Sequence, residues 1–381
     1  MRTSLTSATD AEALLLGLGM YATGGGGLAS RGRRYLEQLA ADGIGVSWST
    51  IDEVPSDTMT CSVYGMGSIA PRQPMGLAER AALGVSGEPH PRPWLRAVDQ
   101  LEEHLGTDIG AIVPFELGPS NTLVALDAAA RSGRTLIDGD YIGRALPEMS
   151  QALPAILGLP TWPLAICDPW GNALIMNDCP SPAIAERIGK MVSRVTKAVD
   201  PGASCSHAAF PLPASTASTA LIPGTMTQCL EVGRAVLGAR ASGVDAVDSA
   251  RSAVNGTLLF AGSVSDREWT DSPDGYMDGT TTIAGSGRWE GCTARVWFRN
   301  EHHVVWVDDT PVVTSPDIIA IVDADDAEPI SNTELKNARS VALIGIPGRT
   351  AFRSGAALRA TEPRHYGIDV DYVALGGDQP T

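Results

Sequence analysis

The sequence predicts an α/β protein in two parts: an N-terminal α/β domain on a largely parallel sheet, then a C-terminal β-rich α+β domain. Three observations carry this. Short apolar strands alternate with helical stretches between about residues 46 and 140, the pattern of a sheet covered by its own crossover helices. From Gly256 onward, β-branched and aromatic runs follow one another with Gly, Asp and Pro between them, which marks a β unit. The chain is 381 residues long, enough for two domains and a sizeable core. The expected division is 1–165 for the first domain, 166–360 for the second and 361–381 for a peripheral tail.

Taken in order, residues 10–19 read as a short apolar helix with Thr9 or Asp10 as its cap. Ala22–Gly27 is a glycine run. Residues 28–42 form a second helix, with Leu28, Tyr35, Leu36 and Leu39 at helical spacing and Arg31, Arg33, Arg34 and Glu37 on the other side, ended by Gly43. Strands are expected at 46–51, 59–64, 109–115 and 135–137, with a Pro- and Gly-rich loop or flap over 71–93 and helices over 93–104 and 121–131. Residues 159–168 read as a strand or crossover leading into a turn at Asp168–Asn172. An amphipathic helix over 181–199 is opened by Pro182, a strand spans 204–212, and two helices follow, one through Arg240 and one over 244–254. The β-rich part holds strands at 257–264, 280–284, 292–300, 303–307, 318–322 and 341–346.

The bulk numbers narrow the function classes. A composition of 44% hydrophobic and 19% charged residues is ordinary for a soluble globular protein. A net charge of -16 argues against nucleic acid and anionic membrane surfaces as partners. No stretch approaches the 18 or so apolar residues of a transmembrane helix, and Ala11–Met20 is too short and glycine-broken for a signal peptide. The six cysteines are scattered without a CxxC pair, so free thiols and a cytoplasmic location are expected. A homo-oligomer is left open.

Gly24, Gly25, Gly26 and Gly27 stand where the second helix begins. Such a run leaves no side chain in the way and presents free N–H groups to an anion: a carboxylate, a phosphate or a developing oxyanion. The plainer alternative is a turn that lets two helices pack closely. No Gly-Lys-Ser/Thr follows the run, so it is not a P-loop, and a helix precedes it where a dinucleotide fingerprint needs a strand. Three polar segments, Gly65-Met66-Gly67, Glu116–Asn121 and Asp138–Glu148, each follow a predicted strand. In open α/β sheets those strand ends line the ligand crevice, so all three should converge beside the glycines.

These motifs occur in one order with Asp168-Pro169-Trp170-Gly171-Asn172, Phe298-Arg299-Asn300-Glu301 and Asp323–Ile330. Together they resemble the S-methyl thiohydantoin desulfurase family, over about residues 11–355. The resemblance implies an N-terminal α/β domain, a more β-rich C-terminal one, and hydrolytic loss of methanethiol from an S-methylated thiohydantoin. Two departures widen the expected substrate to a related cyclic amide or ureide. Pro119 stands where the family has a glycine, and Met149–Pro154 replaces a His-containing stretch.

Displacing a thiol from such a ring, or opening a cyclic imide, needs an activated water, a proton donor and a stabiliser of developing charge. Glu116, after a buried strand, is a candidate base; its alternative role is holding loop N–H groups. Asp138 and Asp140 would share a face and could share a proton or a cation, or cap a turn. These three are the catalytic candidates. Gly24–Gly27, Gly67, Asn121, Arg144 and Glu148 are the substrate-binding candidates. Asn121 reaches a ring carbonyl or caps the next helix, and Arg144 pairs with Glu148 on one helical turn or clamps a substrate carboxylate. A divalent metal such as zinc is a candidate cofactor, with Cys205 and His207 on one strand face as weak ligands, although no HExxH or similar spacing is present. His302 and His303 read as a partly exposed strand. The partner is then a small heterocycle. The competing readings are a non-catalytic subunit of a hydantoinase-like complex, which would carry an exposed apolar patch, and a nucleotide binder using the glycine run.

Overall fold

The helix Ala8–Tyr21 carries Thr9, Asp10 and Glu12 near its start and is apolar from Ala13 on, where Ala13–Leu18, Met20 and Tyr21 are buried. A helical stretch without a polar face belongs inside the molecule. It packs on the helix Thr225–Ser242 at a separation set by glycine: a Cβ on Gly17 would fall 1.8 Å from the Cys229 carbonyl oxygen, and one on Gly233 would fall 1.7 Å from that of Ala13. Its cap is Ser7, whose hydroxyl accepts the Asp10 N–H at 3.1 Å, while Asp10 turns back to Thr6 and Arg234. The cap therefore lies just upstream of the expected Thr9 or Asp10. The computed structural model describes residues 2–71, 73–197 and 205–376.

The first sheet has six strands in the order Thr135–Leu136, Ile109–Ile112, Met59–Met66, Cys205–Pro213, Leu164–Cys167 and Ala173–Met176. Its first three strands are parallel, and the crossovers between them are the helices Pro93–Leu105 and Asn121–Ser132. The remaining contacts are antiparallel. The sheet is thus mixed rather than largely parallel. A tight turn such as 168–172, in which the Asp168 carboxylate accepts the N–H groups of Trp170 and Asn172, can only return the chain antiparallel. Two of the six strands come from beyond residue 165, and Cys205–Pro213 sits in the middle of the sheet.

The second sheet has seven strands, all antiparallel, in the order Thr310–Thr314, Glu301–Val307, Thr293–Arg299, Met277–Gly285, Thr257–Asp271, Ser340–Ile346 and Ile318–Asp323. Bulges at Leu258/Phe260, Val264/Asp266, Trp297/Phe298 and Val305/Trp306 curl it into a half-barrel. Phe260, Ile283, Val296, Val305 and Leu343 pack together in its core. Helix Ala8–Tyr21 rests on Ile318–Asp323, so the glycine run that leaves this helix emerges between the two sheets. The tail is anchored as far as it is described. Tyr366 is buried with its ring 4.0 Å from that of His303, and Tyr372 donates to Asp317. Residues 377–381 of the expected tail, and 198–199 of the expected helix, lie outside the described residues.

Candidate functional site

Three distant segments cross at the glycine run. The Gly26 carbonyl accepts the N–H groups of Ser120 and Asn121 at 3.1 and 3.2 Å. The Gly24 carbonyl accepts that of Asn332 at 2.8 Å, and His302 N–H donates to the Thr23 carbonyl at 2.8 Å. The contacts leave no room for side chains: a Cβ on Gly25 would lie 1.8 Å from Glu301 Oε1, and one on Gly26 would lie 2.6 Å from Gly118 Cα. The run does hold a carboxyl group, and that group is the protein's own. Gly26 N–H donates to Glu301 Oε1 at 3.3 Å. Glu301 therefore stands at a place a phosphate would need, which counts against the nucleotide reading.

Beside this crossing lies a narrow cleft of about 60 Å³. Tyr64, Met66, Phe115, Leu146 and Met149 give it apolar walls, and Glu116, Glu148, Glu186, Lys190 and Glu301 place charged groups on them. Tyr64 and Phe115 stack with ring centres 4.3 Å apart. Past Gly65, Gly67 and Asn121 the cleft widens into an outer chamber of about 230 Å³, lined among others by Gly24, Gly25, Gly27, Arg31 and Ser331. The outer chamber, mainly apolar, has the room for a small ring, and the narrow cleft brings the converging polar groups to its inner end.

Glu116 follows the buried strand Ile109–Ile112 and is only 4% exposed. Its Oε1 accepts Asn121 Nδ2–H at 2.7 Å and its Oε2 accepts Leu146 N–H at 3.0 Å. Burial pushes its carboxyl up from an ordinary 4.5 to about 7, against the pull of those two hydrogen bonds, with Asp140 and Glu186 adding to the rise. Asn121 is the first residue of its helix, not the cap. Its amide ties Glu116 to Gly65, whose N–H donates to Oδ1 at 3.2 Å.

Three groups of the cleft carried no role in the sequence reading. Glu186 and Lys190 lie four apart on the helix Pro182–Thr196 and face inward, with Nζ 3.3 Å from Glu186 Oε1. Glu186 also accepts Met149 N–H at 3.1 Å; Lys190 donates to the Gly275 carbonyl at 3.3 Å and sits 3.4 Å over the centre of the Tyr276 ring. Burial drives both toward neutrality, raising Glu186 and lowering Lys190, and each charge opposes the other's loss. A signal was available: both lie on the helix face that buries Ala185 and Gly189, where a charged residue needs a reason. The third is Glu301, 3% exposed, whose Oε2 is buried and has no partner among the described residues. Burial, with Glu116 nearby, holds its carboxyl well above the usual range.

Several expected site residues lie elsewhere. Asp138 accepts the N–H and hydroxyl of Thr227 at 3.1 and 2.5 Å and so secures the start of helix Thr225–Ser242. Asp140 accepts the N–H groups of Ile142 and Gly143, and burial raises it to about 6. Neither lines the cleft. Arg144 does not pair with Glu148, because no helix forms over 141–148 to bring the two together. Its guanidinium donates to the carbonyls of Ala145, Pro316, Asp317 and His302 and to Thr23 Oγ1, leaving no donor for a substrate carboxylate. Glu148 does reach the cleft and meets His365 at 3.2 Å and Ser150 at 3.1 Å.

Cys205 and His207 are sealed between the sheet and helix Pro182–Thr196. A Cβ on Gly189 would lie 2.3 Å from the His207 ring. Burial raises the Cys205 thiol and lowers His207 to about 3. No group of three His, Cys, Asp or Glu side chains is placed to hold a metal among the described residues. His302 and His303 are fully buried rather than partly exposed, and the His302 ring lies between the Ile319 carbonyl (2.9 Å) and Asn332 Oδ1 (3.0 Å). All six cysteines are free, and among the described residues no helix is long and apolar enough to cross a membrane.

Comparison with known proteins agrees with this two-part architecture. The family model described as S-Me-THD-like, N-terminal domain, matches residues 9–178, and that described as S-Me-THD-like, C-terminal domain, matches residues 185–375. No curated protein matches. The X-ray crystal structure of a protein from Chromobacterium violaceum is similar in fold, with a TM-score of 0.74 at 20% identity over 98% of this chain and 100% of that one.

Proposed function

The chain belongs to the S-Me-THD-like family, and from that premise we propose that it is a hydrolase of a small five-membered nitrogen heterocycle: an S-methyl thiohydantoin, a hydantoin or a related cyclic amide. One observation carries the reading: a buried carboxyl, Glu116, pushed up to about 7 on the wall of a narrow polar cleft that opens from a mainly apolar, ring-sized chamber. A group that titrates near the working pH is suited to general-base work. In this reading the ring lies against Tyr64 and Phe115, and Asn121 steadies the base. Glu116 takes a proton from water as the water oxygen bonds to the ring carbon. The C–S bond then breaks, its electron pair leaves with sulfur, and the carbon becomes a carbonyl. Gly67 and the glycine run frame the route in from the outer chamber.

The test is turnover of an S-methyl thiohydantoin, the plain hydantoin and a cyclic imide, followed by loss of ring absorbance and, for the first, by release of thiol. Glu116→Gln should lower kcat by about 100-fold or more with the fold intact. No turnover of any of the three, with or without added Zn²⁺ or Mn²⁺, would overturn the hydrolase reading.

One observation favours the non-catalytic subunit instead. Ile184, Ile188, Met191 and Val195 form a stripe on the outer face of helix Pro182–Thr196, and Val195 is 75% exposed. An apolar face of this kind marks an interaction surface. That reading requires inactivity of the isolated chain together with a partner whose binding is lost in Ile188→Asp.

A further inference from the structure

We propose that Glu301 is a second catalytic group of the cleft: its free carboxyl oxygen delivers a proton to the departing sulfur while Glu116 takes one from the attacking water. The inference rests on the hydrolase reading and deepens it.

Three observations place Glu301 in that role. The first is its anchoring. Gly26 N–H holds Oε1, and the missing Cβ of Gly25 lets the carboxyl lie flat against the glycine run. The second is the free oxygen. Oε2 is buried, has no partner among the described residues, and belongs to a side chain that lines the cleft. A buried carboxylate oxygen without a donor is costly, whereas a carboxylic acid there holds a proton ready for a substrate atom. The third is the charge around it. Glu116, Glu186 and Glu148 line the same cleft, and Lys190 is the cation among them. Arg144 acts from behind, with its donors committed to carbonyls and to Thr23. Of the groups acting on Glu301, Glu116 is the strongest and opposes ionisation, while Arg144 and Lys190 favour it. His302, the next residue, is fully buried and lowered to about 4, so it adds no positive charge at neutral pH.

The step balances. At the start Glu116 is a carboxylate and Glu301 an acid. Water gives one proton to Glu116 and its oxygen to the ring carbon, and the C=N electron pair moves to nitrogen. That pair re-forms the C=N bond as the C–S bond breaks, and Glu301 protonates the leaving sulfur to give methanethiol. The hydroxylated ring tautomerises to the carbonyl and N–H. One proton remains on the carboxyl pair, now on Glu116, and its transfer back to Glu301 restores the cleft.

The experiment varies the leaving group. Glu301→Gln keeps an oxygen for Gly26 N–H and removes the acid. On the S-methyl substrate it should lose about 100-fold or more in kcat, and an S-aryl analogue, whose thiolate leaves unaided, should restore most of that loss. The wild-type rate should depend only weakly on the leaving thiol, a readout that needs no variant. Infrared spectra at pH 7 should show the C=O stretch of a neutral carboxylic acid that disappears in Glu301→Gln. Equal loss on both substrates, a steep leaving-group dependence in the wild type, or no such infrared band would each overturn the assignment while leaving the hydrolase reading standing. Absence of turnover by the wild type itself would remove the hydrolase reading, and this inference with it.

Discussion

At the scale of single residues, Glu116 gives the pH dependence its sign. Its carboxyl titrates at about 7 when folded against an ordinary 4.5. Below about 4.5 the group is protonated in the folded and unfolded chains alike and costs nothing. Between 4.5 and 7 the unfolded chain releases the proton and the folded chain keeps it, so stability falls as pH rises. Above 7 the full cost, on the order of 3 kcal/mol, persists. The urea midpoint of the wild type should therefore drop from pH 5 to pH 8, and Glu116→Gln should flatten that drop in part, since Glu186 and Glu301 are raised by burial in the same sense. An unchanged slope in the variant would assign the effect to those neighbours. Arg144 is the opposite case, a buried charge with a purely structural set of partners. Arg144→Lys cannot reproduce the fork that reaches Pro316, Asp317 and His302 at once. It should cost about 3 kcal/mol in urea unfolding, as expected for breaking a buried, hydrogen-bonded charge. That Glu116 and Asn121 lie side by side was legible in sequence, because a strand and the loop after it are local. Glu301 was not, because its role depends on a glycine 276 positions upstream, Gly25, that only the fold brings against it.

At the scale of elements, the glycine run and the helix Pro182–Thr196 each do two jobs. The run is expected to present N–H groups to an anion or to let two helices pack closely; in the structure it packs against Gly118, Ser120 and Glu301, and Gly26 N–H meets the Glu301 carboxyl. What the sequence could not supply was the group that meets it, a side chain from the second sheet. Gly25→Ala tests the element directly. A Cβ there falls 1.8 Å from Glu301 Oε1 and displaces the carboxyl. The variant should fold, keep its circular dichroism, and lose kcat to about the extent of Glu301→Gln. Gly238→Ala, in the helix Thr225–Ser242 with no neighbour within 4 Å, is the control. It should leave kcat unchanged and stabilise by up to about 1 kcal/mol, the helix preference of Ala over Gly. Equal loss of activity in both would mean that glycine substitution acts through general stability. Helix Pro182–Thr196 was also anticipated from its amphipathic pattern, yet its polar and apolar faces are assigned against the usual rule. Glu186 and Lys190 point inward, and Ile184, Ile188, Met191 and Val195 outward. Periodicity finds a helix, but it does not say which face meets a cleft.

At the scale of the whole molecule, the chain is less divisible than its two-part pattern suggests. The alternation of strands and helices, and the later run of β-branched segments, were enough to place both sheets. They were not enough to show that Cys205–Pro213 returns to the centre of the first sheet between Met59–Met66 and Leu164–Cys167. Strand pairing across some 140 residues leaves no local trace. The same holds for helix Ala8–Tyr21, which packs on Thr225–Ser242 and on Ile318–Asp323. A fragment ending at residue 178, the end of the match to the N-terminal family model, would leave a gap in the sheet and uncover the apolar part of helix Ala8–Tyr21. Expressed alone, it should be insoluble or should bind hydrophobic dye and show no cooperative unfolding, whereas the intact chain should unfold in a single transition by both fluorescence and far-ultraviolet circular dichroism. Restoring the missing half as a separate chain from residue 179 should recover the folded state, because the strand and helix it supplies are those the fragment lacks. Two separated transitions in the intact chain, or a stable cooperative fragment, would show that the interlocking strand contributes little and that the halves are independent domains.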